Sequence, residues 1–177
     1  NNPYIELMKK EQPFYHIANG FETRDKWWVA YEAKRLKPMA ERLKLISEDG
    51  SGLIFRPFHE ADGDWFWWGL RWLEGDLPLN GKEALMKVFV ETARYLKQEL
   101  PGLLIAFSTD KLGYVSHANA KDDQEIANRY LDEYITFLPK DPADLALIDI
   151  YGMDLYTSKE NPSESLNQFR IKLQGLS

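Results

Sequence analysis

The chain has 177 residues, of which 44% are hydrophobic and 28% are charged, as is usual for one globular domain with its own core. A formal net charge of -6 gives no electrostatic attraction to nucleic acid or to an anionic membrane, and no apolar run approaches the ~20 residues of a membrane span. The absence of cysteine excludes disulfides, thiolate zinc sites and cysteine nucleophiles.

The first part of the chain is predicted to be loop and then helix. Residues 1–20 mix prolines with aromatic residues, so we expect mostly loop there. Thr23 or Asp25 can cap a helix that continues for about two turns. Pro38 is expected to interrupt this helix and to open a second one, because proline is tolerated in a first turn but not in a helix interior. The apolar stripe of the second helix is expected to consist of Met39, Leu43 and Ile46.

Over the rest of the chain, three apolar segments with the character of buried strands alternate with helical segments. The strands are predicted at Leu53–Phe58, Leu103–Phe107 and Leu145–Ile150. Between them, helices are predicted at Asn80–Leu100 and Asp122–Leu138. A last helix is predicted to open at Asn161, where a proline follows the capping residue.

Alternation of helices with continuous apolar strands predicts a parallel sheet covered by helices. Each predicted strand ends in polar residues: His59 and Glu60 after the first, Asp110 after the second, Asp154 and Tyr156 after the third. Functional residues at the carboxyl ends of strands are typical of the (β/α)8 barrel. Three strands cannot close such a barrel, and about 250 residues are typical. We therefore expect an α/β fold that is an incomplete (β/α)8 TIM barrel.

The segment after the first predicted strand carries the chemistry. Glu60 lies just past the strand, where its side chain can point into a cleft. A glycosidase needs a carboxylic acid that protonates the departing glycosidic oxygen, and tryptophan rings and a second carboxylate favour its protonated form. His59 could bind a sugar hydroxyl or position a carboxylate, and Arg56 could balance a buried acid. Trp65 and Trp68 offer flat apolar faces to pyranose rings, although other ligands also use such faces.

Each of these residues also has a purely structural interpretation. A tryptophan run more often belongs to a core than to a ligand platform, and a glutamate after a strand is most often a solvated loop residue. Alternation can divide the run, so that Phe66 and Trp67 pack inside while Trp65 and Trp68 face a cleft. The polar residues after the third strand fit a turn as well as a site.

A longer pattern adds a resemblance to this interpretation. The residues that carry it are Arg56-Pro57-Phe58-His59-Glu60, Gly63 and Trp65-Phe66-Trp67-Trp68-Gly69. The pattern resembles the signature of glycoside hydrolase family 26, whose members are mostly endo-β-1,4-mannanases on a (β/α)8 barrel. Residues 108–110 and 149–156 look like the next two strand ends of that family. One departure is Asp62, since the family usually has asparagine before this glycine.

The resemblance implies roles for particular residues. Glu60 corresponds to the family's acid/base, and His59 and Trp65 correspond to sugar-contacting positions. Tyr156 corresponds to the tyrosine that hydrogen-bonds the nucleophile. The nucleophile of the family is a glutamate on a later strand, which we expect outside residues 1–177. The remaining predicted substrate contacts are Trp68, Asp110 and Asp154.

Residues 1–177 are therefore predicted to be part of a single catalytic domain of a retaining endo-β-1,4-mannanase. Its partner would be a polysaccharide such as β-mannan, glucomannan or galactomannan, and no metal or organic cofactor is implied. Two alternatives stay open: another β-glucan or β-xylan hydrolase of the same family, and a non-catalytic carbohydrate-binding protein on the same scaffold. The resemblance implies a secreted, periplasmic or cell-surface location, although no signal-peptide pattern is visible. The oligomeric state is left open.

Overall fold

The structure is a computed structural model that describes residues 11–48, 50–63, 65–69, 81–110, 119 and 121–154. Its helical elements are α1 (Pro13–Thr23), α2 (Lys26–Tyr31), a π-helical turn (Glu32–Leu36), α3 (Lys37–Ser47), α4 (Gly81–Glu99), α5 (Asp123–Ile135) and α6 (Pro142–Leu145). Its strands are β1 (Ile54–Phe55), β2 (Leu104–Asp110) and β3 (Ile150–Asp154). Within the described ranges, no helix is both long and apolar enough to cross a membrane.

The three strands form a parallel sheet in the order β1, β2, β3. Ile54 is paired with Leu104 near the start of β2, and Asp110 is paired with Asp154 where β2 and β3 end. Because the strands are parallel, their carboxyl ends meet at one edge of the sheet. The predicted order and direction of the strands are confirmed.

Helix α4 and strand β2 form the centre of the core. The helix was predicted within one residue of its observed ends, and Leu85, Phe89 and Leu96 on its apolar face are fully buried. The Phe89 ring packs edge-on against Phe107 of β2, with ring centroids 5.3 Å apart. From α5, the Tyr134 ring packs against the same Phe107 ring at 5.7 Å, and the Tyr134 hydroxyl donates a hydrogen bond of 3.2 Å to the Phe107 carbonyl. Both helices therefore cover the same face of the sheet.

The opposite face of the sheet carries the alternate side chains of β2. Successive side chains of a strand point to opposite faces, so Leu104 and Ser108 point away from the side chain of Phe107. Near the amino ends of the strands, Ile54 on this second face is 65% exposed and Leu104 is also exposed. Towards the carboxyl ends, Arg56 donates a hydrogen bond to Ser108. The second face is thus apolar at its base and polar where the strands end.

The first strand is shorter and more exposed than predicted. A buried strand was expected over Leu53–Phe58, but only Ile54 and Phe55 pair with β2. The prediction was wrong at this point because the chain turns at Pro57, which has no N–H group for a ladder hydrogen bond.

The third strand lies further along the chain than predicted. It was expected over Leu145–Ile150, whereas β3 begins at Ile150 and Leu145 ends the short helix α6. The Asp141 carboxylate accepts a hydrogen bond of 2.7 Å from the Ala143 N–H group, and proline follows Asp141 at the first helical position. This cap and this proline favour a helical turn over an extended start.

The prediction of a mostly loop segment over residues 1–20 is wrong from Pro13 onward. Helix α1 buries Phe14, Ile17 and Ala18 in the core. Its proline stands at the first position of the helix, where the missing N–H group removes no intrahelical hydrogen bond. Residues 1–10 lie outside the described residues, as does the helix predicted to open at Asn161.

The predicted cap at Asp25 is confirmed, and α3 begins within one residue of Pro38 as predicted, but the helical path is not interrupted there. The Asp25 carboxylate accepts hydrogen bonds from the N–H groups of the second and third residues that follow it, at 2.8 and 3.1 Å. The helical path then continues through the π-helical turn, where the Lys37 N–H group donates to the Glu32 carbonyl five residues earlier. This wider turn lies directly before Pro38, whose ring would clash with a carbonyl in a regular helix.

The apolar stripe of α3 is only partly buried. Met39 and Leu43 pack against the core, as expected, whereas Ile46 in the last turn is 58% exposed. The prediction was therefore wrong for Ile46.

Candidate active site

Glu60 lies in a turn that begins where β1 ends. Phe58 and Glu60 both have positive φ angles, of 52° and 51°. Neither residue is a glycine, so each adopts this conformation at a cost, and such residues are concentrated at functional sites. The turn is held by two backbone hydrogen bonds. The Glu60 N–H group donates to the Ser108 carbonyl of β2 at 3.1 Å, and the Gly63 N–H group donates to the Glu60 carbonyl at 3.0 Å.

The side chain of Glu60 is buried against an indole ring that is half open to solvent. Glu60 is 7% exposed, whereas Trp65 is 53% exposed. The Trp65 Nε1–H group donates a hydrogen bond of 2.9 Å to Glu60 Oε2. The predicted position of Trp65, partly exposed beside Glu60, is confirmed.

Gly63 allows the indole to take this position. A Cβ atom at Gly63 would lie 2.4–2.6 Å from three ring atoms of Trp65, a distance that real side chains do not adopt. Gly69 is also constrained, because a Cβ atom there would lie 2.4 Å from the Gly63 carbonyl oxygen. The two glycines between them fold the tryptophan run back over the turn that carries Glu60.

The rest of the tryptophan run forms an aromatic cluster. Phe66 and Trp68 are stacked, with centroids 4.4 Å apart, and the His59 ring lies edge-on to Phe66 at 4.7 Å. Trp67 packs against Phe14 of α1 at 5.5 Å. The inward orientation predicted for Trp67 is therefore confirmed.

The orientation of Trp68 differs from the prediction, in which Trp65 and Trp68 both face a cleft. It is half-buried, and its Nε1–H group donates to the His59 carbonyl at 3.0 Å. It thus takes part in the packing that the sequence assigned to Phe66 and Trp67. The substrate contacts of Trp68 and His59 stay predictions.

Arg56 has the acidic partner that its residue type predicted, and that partner is Asp154 at the end of β3. The Arg56 Nη1 group donates to Asp154 Oδ1, and it also donates to Ser108 Oγ at 3.1 Å. Asp154 Oδ2 is buried and has no hydrogen-bond partner among the described residues. Burial raises the pKa of Asp154, Arg56 opposes this shift, and the nearby Glu60 carboxyl adds to it.

Asp62 also belongs to the site. From the sequence it was identified only as a departure from the family pattern, and no role was predicted for it. Asp62 Oδ1 accepts a hydrogen bond of 2.7 Å from the Asp110 N–H group at the end of β2. Burial raises the pKa of Asp62 to about 6, and the negative charges of Asp110 and Glu60 add to the shift. The signal in the sequence was a second carboxylate two residues after Glu60, within the same short turn.

The predicted site residues are therefore brought together at one edge of the sheet as far as the structure describes them. Glu60, Asp110 and Asp154 stand at the ends of three adjacent strands, with Trp65 beside the first. Tyr156 lies outside the described residues. A buried carboxyl group, a half-exposed indole and further carboxylates can together hold a polyhydroxylated ligand and transfer a proton to it.

A family model described as Glycosyl hydrolase family 26 matches residues 17–174. The chain belongs to glycosyl hydrolase family 26. The match includes every predicted site residue, from His59 to Tyr156. No solved structure matches the chain.

Curated relatives of this family 26 chain share the name mannan endo-1,4-beta-mannosidase. The protein of this name from Bifidobacterium adolescentis is 28% identical over 134 residues, which are 76% of the chain and 11% of the relative. Mannan endo-1,4-beta-mannosidase A and B from Caldalkalibacillus mannanilyticus is 36% identical over 66 residues, 37% of the chain and 12% of the relative. The protein from Bacillus subtilis strain 168 is 46% identical over 43 residues, 22% of the chain and 12% of the relative. The aligned stretches thus span only about an eighth of these relatives.

Proposed function

We propose that the chain is part of a retaining endo-β-1,4-mannanase in which Glu60 is the general acid/base. The observation that carries the proposal is the buried Glu60 carboxyl group at the end of a parallel strand, hydrogen-bonded to the half-exposed Trp65. Membership of family 26 and the names of the relatives support mannan as the substrate.

In this mechanism, Glu60 protonates the glycosidic oxygen of the leaving sugar. A second carboxylate, about 5–5.5 Å from the first in retaining enzymes, attacks the anomeric carbon and forms a glycosyl-enzyme. Glu60 then removes a proton from the water that hydrolyses this intermediate. The hydrogen bond from Trp65 holds Oε2 in place, and burial keeps bulk water away from the proton transfer.

The same edge of the sheet supplies candidate contacts for the sugar hydroxyl groups. The buried Asp154 Oδ2 atom can accept a hydrogen bond from a hydroxyl, and Asp110 is paired with Asp154 on the neighbouring strand. His59 lies in the turn that carries Glu60. The exposed part of the Trp65 ring offers an apolar face to a pyranose ring.

We further propose that the three strands belong to a (β/α)8 barrel, with residues 1–177 in a single catalytic domain. Active sites of such barrels lie at the carboxyl ends of the strands, where Glu60, Asp110 and Asp154 are found. The nucleophile would come from a later strand of the barrel. A polysaccharide substrate is in keeping with a secreted, periplasmic or cell-surface enzyme.

The test is Glu60→Gln in a catalytic domain that joins this chain to the later strand carrying the family's nucleophile. General acid/base catalysis contributes typically about 10²–10⁴-fold, so hydrolysis of mannan should slow by about that factor. Aryl mannosides with good leaving groups should be affected much less in the first step, because they need little protonation. Azide should partly restore the second step, because it needs no general base.

The matched control is Glu48→Gln, which changes an exposed glutamate after α3 and should leave turnover unchanged. Parental turnover of mannan by Glu60→Gln would contradict the proposed role. If the parent enzyme hydrolysed a β-glucan or β-xylan faster than mannan, the first alternative, a β-glucan or β-xylan hydrolase of the same family, would be favoured. Binding of polysaccharide without hydrolysis would favour the carbohydrate-binding alternative.

A further inference from the structure

The turn that carries Glu60 is attached to β2 at two points. At the first, the Glu60 N–H group donates to the Ser108 carbonyl. At the second, the Asp62 side chain accepts from the Asp110 N–H group at 2.7 Å. In a regular parallel ladder the Glu60 carbonyl would accept from the Asp110 N–H group, but here that carbonyl accepts from the Gly63 N–H group. The Asp62 side chain therefore continues the pairing with β2 after the backbone has turned away from it.

The second attachment is made by a group that can carry charge. Asp62 is half-buried, and the charged groups that face it are Glu60 on its own turn and Asp110 on β2. Behind Glu60, Asp154 of β3 is paired with Arg56. Because the charge of Arg56 is already balanced by Asp154, the groups around Asp62 are acidic.

We propose that Asp62 is a positioning residue whose carboxylate fixes the Glu60 turn on β2 by accepting a hydrogen bond from the Asp110 N–H group. The proposal rests on the proposed role of Glu60 as acid/base. The hydrogen bond to the Asp110 N–H group needs only an acceptor oxygen, so an amide would also make it. The charge is a separate property, which only the carboxylate provides.

The charge acts on the hydrogen bond that holds the turn. Burial and the two neighbouring carboxylates raise the pKa of Asp62 to about 6, so Asp62 is ionised at neutral pH and neutral in acid. When it is ionised, Asp62 accepts a stronger, charge-assisted hydrogen bond from the Asp110 N–H group. The turn should therefore be held more firmly near neutral pH than in acid.

The experiment compares Asp62→Asn and Asp62→Ala in the same catalytic domain, with kcat and KM for mannan measured across the pH range in which carboxyl groups titrate. The amide signal of Asp110 is followed by NMR in protein labelled with [15N]aspartate. The control is Asp141→Asn, because the Asp141 carboxylate accepts an equally short backbone hydrogen bond, of 2.7 Å, away from the site.

Asp62→Asn should keep kcat near neutral pH within a few-fold, because its amide oxygen can still accept the hydrogen bond from the Asp110 N–H group. Asp62→Ala should lose about tenfold or more in kcat at every pH, with little change in KM, because the Glu60 turn is no longer held. In the parent and in Asp141→Asn, the chemical shift of the Asp110 N–H group should follow the ionisation of Asp62, whose pKa burial raises to about 6, and this step should vanish in Asp62→Asn.

Parental kcat in Asp62→Ala would overturn the proposal, and so would an Asp110 N–H chemical shift that is the same in the parent and in Asp62→Ala. A parent that does not hydrolyse mannan would instead contradict the proposed function. The Asp110 amide would still decide whether the Asp62 carboxylate holds the turn, because that measurement needs no turnover.

Discussion

At the scale of single residues, the contact between Trp65 and Glu60 depends on the absence of a side chain at Gly63. The indole lies across the Cα atom of Gly63, where an added methyl group would meet three ring atoms at 2.4–2.6 Å. The ring cannot stay in place if that methyl group is present, because the overlap is far below van der Waals distance.

Gly63→Ala should therefore displace Trp65 and release Glu60 Oε2 from its hydrogen-bond donor. We expect kcat/KM for mannan to fall by about tenfold or more, since a displacement of about 1 Å near a reacting group can cost 10²-fold. Gly102→Ala is the control, because a Cβ atom at Gly102 would have no neighbour within 4 Å. Equal kcat/KM for the two variants would show that the position of Trp65 does not matter for turnover.

The sequence was most informative about residues whose partners are close along the chain. Glu60 and Trp65 are five residues apart, and their proximity was predicted from that spacing. Arg56 was expected to balance an acid, but the identity of that acid could not be predicted, because Asp154 is 98 residues away. The role of Asp62 was missed for the same reason, since the backbone group that it binds is 48 residues away.

At the scale of secondary structure, prediction succeeded where periodicity was strong and failed where local capping decided the outcome. Helix α4 has an apolar face of five turns, and its predicted ends were correct within one residue. Helix α1 was missed because Pro13 and the aromatic residues of this segment are also typical of a loop. The start of β3 was misplaced because the Asp141 cap and Pro142 begin a helical turn.

The cap of α2 gives a prediction at this scale. Asp25→Ala removes the acceptor for two N–H groups at the start of the helix, so the free energy of unfolding should fall by about 1 kcal/mol. Gly20→Ala should also lower the free energy of unfolding, although alanine favours helices, because its Cβ atom would lie 2.0 Å from the Asp25 carboxylate.

Urea unfolding measures both changes. Asp132→Ala, at an exposed position of α5, is the control and should stay within about 0.5 kcal/mol of the parent. A stabilising effect of Gly20→Ala would mean that the Asp25 cap contributes little.

At the scale of the whole molecule, the sheet has one face covered by helices and another whose base is apolar and exposed. The order and direction of the strands followed from the alternation of helices and strands along the chain. The cover of the second face could not be predicted from these elements, because three strands do not close a barrel. In the proposed barrel, further strands would bring side chains against Ile54 and Leu104.

A pair of matched isoleucines tests this arrangement. In this structure Ile54 is 65% exposed and Ile46 is 58% exposed, so equal effects would be expected if exposure alone mattered. In the complete catalytic domain, Ile54→Ser should lower the free energy of unfolding by about 2 kcal/mol or more, because a buried apolar side chain would be lost. Ile46→Ser should change it by about 0.5 kcal/mol or less. Equal small effects, measured by thermal unfolding, would contradict a covered inner face.

Because the half-exposed Trp65 is hydrogen-bonded to Glu60, its fluorescence can be used to monitor the site. An indole that is 53% exposed emits at longer wavelength than one such as Trp28, which is 3% exposed. A saccharide laid over the Trp65 ring would remove water from it and move that emission to shorter wavelength. Binding of a saccharide at the edge where the strands end could then be followed as a shift of the fluorescence maximum. This measurement needs no label and no hydrolysis.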